Sequence, residues 1–290
     1  MIHEEPRNTH STHSMKPTHS TEPMKPTKPM KPTKPTKPTK GPAIFLTTTL
    51  LIGALVALEN RAVEGRSARE KPTAPPRVID AGDSTKPPSD AIVLFDGKDL
   101  AKEFTNGKGG APGWIVENGV ATVQGGSIHS RRKFGDIQMH LEFRTPAGST
   151  KGGESRGNSG IKFHEAYEIQ VLDNYKHQSS IMGQCASVYK QHPPLVNACR
   201  PPGEWQTYDI IFRAPYFDEK GKEIRFGTFT VLHNGVLVQD NAEIWDGRTN
   251  SRRPVSSDYK QPFFIQDHGS KVSYRNIWVR EIERKPLREK

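Results

Sequence analysis

At 290 residues, with 33% hydrophobic side chains and a net charge of +10, the chain has room for one or two domains. Its Pro, Lys and Thr crowd the start, and apolar patterning is left for one folded domain. Half of the net charge lies in residues 1–42, so the remainder is only mildly basic. With no recognition helix, RNA-binding aromatic signature or zinc-finger spacing, it offers no nucleic-acid footprint.

Residues 1–42 are expected to be a disordered tail. From Met15 they read MKPTHSTEPMKPTKPMKPTKPTKPTKGP, a Lys-Pro-Thr repeat. Proline at such density denies the backbone helix and sheet and leaves it extended and polyproline-like. Residues 43–58, AIFLTTTLLIGALVAL, are apolar and uncharged. A membrane span needs ~20 such residues, and the basic flank is that of an export signal. No clean small-x-small cleavage motif follows, so both a signal and an uncleaved anchor are consistent with the run, and no nearby cysteine offers a site for a lipid. The segment predicts an extracytoplasmic protein (periplasmic, secreted or membrane-anchored) that contacts a membrane through this run alone. Residues 59–90, rich in Pro and charge without hydrophobic period, read as a linker.

Residues 91–282 read as one all-β domain, an antiparallel β-sandwich, followed by a charged tail at 283–290. DIQMHLEFR alternates strictly, with Ile137, Met139, Leu141 and Phe143 on one face. TFTVLHNGVLVQD places Asn234-Gly235 between apolar runs, and IVENGVATVQG does the same with Asn118-Gly119. Both dipeptides tolerate positive φ and so predict hairpins. TYDIIFR and SYRNIWVRE add strands.

The hairpin IKFHEAYEIQVLD, Ile161 to Asp173, carries unusual polarity for a strand pair. A three-residue loop, Glu165-Ala166-Tyr167, would pair His164 with Glu168 and Lys162 with Gln170, gathering Ile161, Phe163, Ile169 and Val171 on the opposite face. Burial favours that register. Lys162, His164, Glu168 and Gln170 then form a polar plate, and a bulge near Val171-Leu172 would bring Asp173 beside them. The plain reading of the plate is a solvated face whose cross-strand pairs contribute ~0.2–1 kcal/mol each.

Three clusters point beyond that reading. NACRPPGEWQTYD holds Arg200, VYKQHPPL holds Tyr189, Lys190 and His192, and FFIQDHGSK holds Gln266, Asp267, His268 and Lys271. Such groups suit a small carbohydrate, whose hydroxyls want polar side chains and whose CH faces stack on rings. Trp205 itself, followed by a strand, is expected in the core. Glu168 and His268 are candidate ligands for a divalent cation, although no His-Glu-x-x-His spacing supports one. No organic cofactor is expected. In an exported protein Cys185 and Cys199 are candidates for a disulfide. Without a second pair or clustered histidines they are too few for a structural zinc site.

The blocks FDGKDL, NSGIKF, YEIQVLD, PLVNACRPPGEWQTYDIIF, VLHNGVLVQDN and QDHGSKVSYRNIWVRE resemble, in order, the 3-keto-disaccharide hydrolase family, from about Ile92 to Ile282. The resemblance implies a concanavalin-like jelly-roll sandwich, usually exported, acting on sugars whose C3 hydroxyl has been oxidised to a ketone. EIQVLD is also similar to the Glu-Ile-Asp-x-x-Glu signature of laminarinase-type glucanases, but Gln170 stands where that signature has its central Asp. An ordinary retaining mechanism needs a carboxylate partner at ~5–5.5 Å, and Gln170 cannot serve.

A C3 ketone acidifies the C2 hydrogen, so a base can remove it, the enolate can expel the C1 substituent, and water can add back. Such a site needs a base, a cation or donor for the enolate oxygen and an acid for the leaving oxygen. Glu168 or His268 is the candidate base, and Lys162 or a divalent cation the enolate partner. Asp173 is the acid or an orienting carboxylate, and Gln170 and Asn158 hold hydroxyls. The rival readings are a non-catalytic lectin-like module and an ordinary glycosidase.

Overall fold

The computed structural model describes residues 75–83, 86–245 and 256–287. The Lys-Pro-Thr tail, the apolar run, the first part of the linker and the last residues of the charged tail lie outside the described residues. In chain order the strands are β1 (Ile92–Phe95), β2 (Phe104–Asn106), β3 (Ile115–Glu117), β4 (Val120–Thr122), β5 (Ile128–Ser130), β6 (Ile137–Arg144), β7 (Ser159–Phe163), β8 (Tyr167–Val171), β9 (Gln206–Arg213), β10 (Tyr216–Phe217), β11 (Glu223–Arg225), β12 (Gly227–His233), β13 (Val236–Ile244), β14 (Phe264–Ile265) and β15 (Ser273–Glu281). Among the described residues, helix is limited to single 3-10 turns.

An eight-stranded sheet runs β13-β12-β9-β6-β15-β4-β3, with β1 also paired to β15. A five-stranded sheet runs β2-β5-β14-β7-β8, and β10-β11 form a separate hairpin. Every pairing is antiparallel. Both Asn-Gly turns fall where expected, with Asn118 and Gly119 at φ 50 and 80 and Asn234 and Gly235 at φ 54 and 79. In each, two adjacent left-handed residues match the twist of the flanking strands.

The inward residues of the two sheets interlock. Phe163 of the smaller sheet meets Phe212 and Phe229 of the larger at ring separations of 5.0 and 5.1 Å. Met139, Leu141 and Phe143 are wholly buried, as the alternation of β6 predicts. Across the same interior the Tyr274 hydroxyl donates to Ser159 Oγ at 2.7 Å, which satisfies a phenol that the core would otherwise strand. Trp205 does not join that core. It lies partly exposed, with the guanidinium groups of Arg144 and Arg275 4.8 and 4.1 Å from its ring, where cation–π attraction takes the place of core packing.

The β7–β8 hairpin differs from its expected register. Phe163 pairs with Tyr167, Lys162 with Glu168 and Gly160 with Gln170, so the loop is His164-Glu165-Ala166 rather than Glu165-Ala166-Tyr167. His164 and Glu165 take left-handed φ of 52 and 55, and Ala166 N–H closes the turn onto Phe163 O at 3.0 Å. This register buries the whole of Tyr167, a large apolar gain over leaving it in a loop. The change is an even step, so Lys162, Glu168 and Gln170 keep their shared face and only His164 leaves it.

Candidate active site

On β8, Tyr167, Ile169 and Val171 point into the core, which sends Glu168 and Gln170 outward. Gly160 and Lys162 of β7 face the same way, and Lys162 Nζ lies 3.2 Å from Glu168 Oε2. Glu168 is only 3% exposed. That burial raises its carboxyl pKa, against the opposing pull of Lys162 and, more weakly, of His268 and Lys190. A carboxylate held above its ordinary range and paired to a lysine is a stronger base than a surface glutamate.

Gly160 makes this arrangement possible. A Cβ at that position would stand 2.3 Å from Glu168 Oε1, so the missing side chain lets Glu168 lie across β7. Gly160→Ala is expected to lower kcat/KM at least about tenfold by displacing the carboxylate. Steady-state kinetics beside an unchanged circular dichroism spectrum check this.

Phe264 of β14 pairs with Lys162 on one side and with His129 of β5 on the other. Its ring stacks on His129 at 4.8 Å, and Lys162 Nζ stands 5.6 Å from its centroid. The pair forms an aromatic ledge beside the ion pair, of the kind on which a sugar ring rests. Neither residue stands out in the sequence, because the ledge exists only once two distant strands meet; the run FFIQ is the nearest signal.

The free edge of β8 is covered by the segment after the 3-10 turn Ile181–Gly183. Tyr189 N–H donates to Glu168 O and Ala186 N–H to Gln170 O, each at 2.9 Å. This brings Tyr189 and Lys190 to the margin of the face. Tyr189 Oη donates to Glu154 Oε2 at 3.1 Å, and Ser180 Oγ donates to the other oxygen of Glu154. Burial, with Glu154 beside it, pushes the Tyr189 phenol up to about 12, so it carries its proton at neutral pH. Asn158 Nδ2 donates to Glu154 O at 2.5 Å. Gln170 Oε1 is buried without a hydrogen-bond partner, an acceptor that a substrate hydroxyl would satisfy.

Other expected site residues are engaged elsewhere. Asp173 lies beyond the end of β8, 2% exposed, with Oδ2 2.5 Å from Arg156 Nε and Oδ1 accepting the Tyr175 N–H. Arg156, a partner the hairpin alone does not reveal, holds this carboxylate. Asp267 accepts N–H groups from Gly126 and Gly269, one on each oxygen, and so locks the turn that carries His268. Gln266 is tied through its backbone to Gly160 and Ser159. Arg200 donates to Trp205 O and, from its backbone, to Gln206, bracing its own loop. His164 sits in the turn with Nε2 3.1 Å from Phe134 O, and burial takes its pKa down to about 4.

Cys185 and Cys199 are free thiols in this structure rather than a disulfide. Among the described residues, three His, Cys, Asp or Glu donors converge at one place, Cys185, Cys199 and His233; Glu168 and His268 gather no third donor. Clefts of about 420 and 330 Å³ open on the eight-stranded sheet, one lined by Glu142, Arg275 and Asn276 and the other by Arg144, Lys271 and Ser273. Neither includes a residue of the Glu168 face.

A two-sheet antiparallel sandwich with an outward carboxylate–lysine pair, amides and an aromatic ledge has the make-up of a carbohydrate-active protein. Residues 90–280 match the family model of the 3-keto-alpha-glucoside-1,2-lyase-like domain, and the chain belongs to that family. A crystal structure from Parabacteroides distasonis, solved as a candidate glycosyl hydrolase, is 43% identical, covers 74% of this chain and 95% of its own, and superposes with a TM-score of 0.69. The 3-keto-disaccharide hydrolase of Bacteroides thetaiotaomicron is 24% identical over 82% of this chain and 98% of its own length.

Proposed function

We propose that this chain cleaves 3-keto-glycosides by removing the C2 proton, eliminating the C1 substituent and hydrating the product. The observation that carries the reading is the buried Glu168, raised in pKa and paired to Lys162 on the face of the smaller sheet turned away from the core. Glu168 takes the proton from C2, whose acidity comes from the neighbouring ketone. Lys162 stabilises the enolate oxygen, because a cation next to developing negative charge in a water-poor site lowers the barrier. Tyr189, protonated and oriented by Glu154, gives its proton to the leaving oxygen as the C1–O bond breaks. Water then adds across the C1–C2 double bond: its hydroxide joins C1 as its proton returns to the Tyr189 phenolate, and the Glu168 carboxyl, after exchange with solvent, returns a proton to C2, which restores both groups and closes the balance as hydrolysis. Gln170 and Asn158 hold hydroxyls, and the Phe264–His129 ledge carries the ring.

The sandwich is of the concanavalin-like kind on this reading. The enzyme works outside the cytoplasm, a placement that rests on the apolar run Ala43–Leu58. The test is incubation of the purified chain with a 3-keto-glucoside and, separately, with its unoxidised parent. Release of the aglycone from the keto form alone supports the reading. Binding without turnover favours a lectin-like module, and cleavage of the parent an ordinary glycosidase.

The same pairing fixes the pH dependence. The wild-type acid limb of kcat/KM lies above the ordinary carboxylate range, since activity is lost as pH falls through the raised Glu168 pKa. Lys162→Met removes a charge that favours the ionised form, so the limb moves to still higher pH. A pH–rate profile showing it unmoved or moved downward would remove Glu168 from the base role.

A further inference from the structure

We propose that Cys185, Cys199 and His233 form a binding site for one thiophilic cation, with zinc(II) the ion to test. The three side chains come from separate segments: the loop after Ile181–Gly183, the loop before β9, and the end of β12. Their donor atoms nevertheless all lie within 4.8 Å of one another. Tetrahedral bonds of ~2.3 Å from sulfur and ~2.0 Å from nitrogen set donors roughly 3.5–3.8 Å apart, so small side-chain rotations would close the three onto one ion. Two thiolates and an imidazole select a soft or borderline ion over calcium or magnesium, which take oxygen ligands.

The surroundings hold the donors in place. Asn174 Oδ1 accepts the Cys185 N–H at 2.7 Å, and Asn197 Oδ1 accepts the Cys199 N–H at 3.0 Å. Asn197 Nδ2 in turn donates to Asn174 O, which ties the two cysteine loops together. Asn234 Nδ2 reaches Ala198 O at 2.8 Å from the residue next to His233. Gln206 Oε1 accepts the Arg200 N–H, so it is the acceptor for His233 Nε2 at 2.8 Å and fixes the ring. An outer shell of amides of this kind orients metal ligands. Cys185 and His233 are buried and Cys199 is partly exposed, which gives an ion a way in. Binding would release the thiol protons to solvent and leave two thiolates on the metal.

The site also touches the strand that carries Glu168. Tyr208 Oη lies 3.0 Å from Cys185 Sγ and donates to Gln170 O on β8 at 2.7 Å.

The experiment is titration of the full chain, reduced and freed of reductant, with cobalt(II) as a spectroscopic probe and then zinc(II). One equivalent of cobalt should produce the near-ultraviolet sulfur-to-cobalt charge-transfer band, and zinc should abolish it. Cys199→Ser, at the partly exposed position, should lose most of the band while remaining folded. Gln206→Ala should weaken binding about 10–100-fold, as outer-shell losses do. Absence of the band while both thiols react with a thiol reagent would overturn the site. So would a Cys185–Cys199 disulfide that forms in the presence of equimolar zinc.

Discussion

Glu168→Gln lowers kcat on a 3-keto-glucoside by about 10²–10⁴-fold, the usual contribution of a positioned general base. The substitution keeps the shape of the side chain and leaves an amide oxygen to accept from Lys162 Nζ, now 3.2 Å from the carboxylate. Binding therefore survives, and KM changes far less than kcat, the pattern of an interaction needed in the transition state. A full kinetic comparison on the keto substrate, with thermal unfolding as a control for folding, measures both quantities. Retention of more than about a tenth of wild-type kcat would exclude Glu168 as the base that carries the reaction.

Asp173→Ala has the largest expected effect on stability. Asp173 and Arg156 are both largely hidden, with side-chain exposures of 1% and 12%, and Arg156 also donates to the carbonyl of Ser149. Removing the carboxylate leaves a guanidinium buried without its counter-charge, which costs about 3–5 kcal/mol, far above the ~0–1 kcal/mol of an exposed pair. In a domain of this size that lowers the melting temperature by on the order of 10 °C. The double variant Arg156→Met with Asp173→Leu should recover much of the loss, because apolar replacement of both partners leaves no unpaired charge. A melting temperature within a degree or so of wild type for Asp173→Ala would show that the pair is solvated in solution.

These two carboxylates also show what the sequence can and cannot convey. The outward placement of Glu168 and Gln170 follows from strand alternation, a local property, and survives the two-residue change in hairpin register. The register itself turns on His164 and Glu165 adopting left-handed backbone conformations, which composition does not flag in the way that Asn118-Gly119 and Asn234-Gly235 announce theirs. Asp173 reads as part of the polar plate because its partner, Arg156, precedes the hairpin and is recognised only in three dimensions. For the same reason the Phe264–His129 ledge, the Glu154 that orients Tyr189, and the His233 that joins the two cysteines emerge only when segments distant in sequence meet. Trp205 shows the converse: an aromatic before a strand suggests a core residue, yet two arginines hold it outside. Local periodicity gives the faces, and non-local pairing decides which faces meet.

Elimination through C2 and direct displacement at C1 are distinguished by running the reaction in deuterium oxide and examining C2 of the released 3-keto sugar by proton NMR. Elimination and hydration place a solvent-derived deuteron at C2, incorporated at a rate matching release of the aglycone and beyond exchange in an enzyme-free control. Release of the aglycone with the original hydrogen retained at C2 would rule out elimination and return the site to an ordinary glycosidase reading.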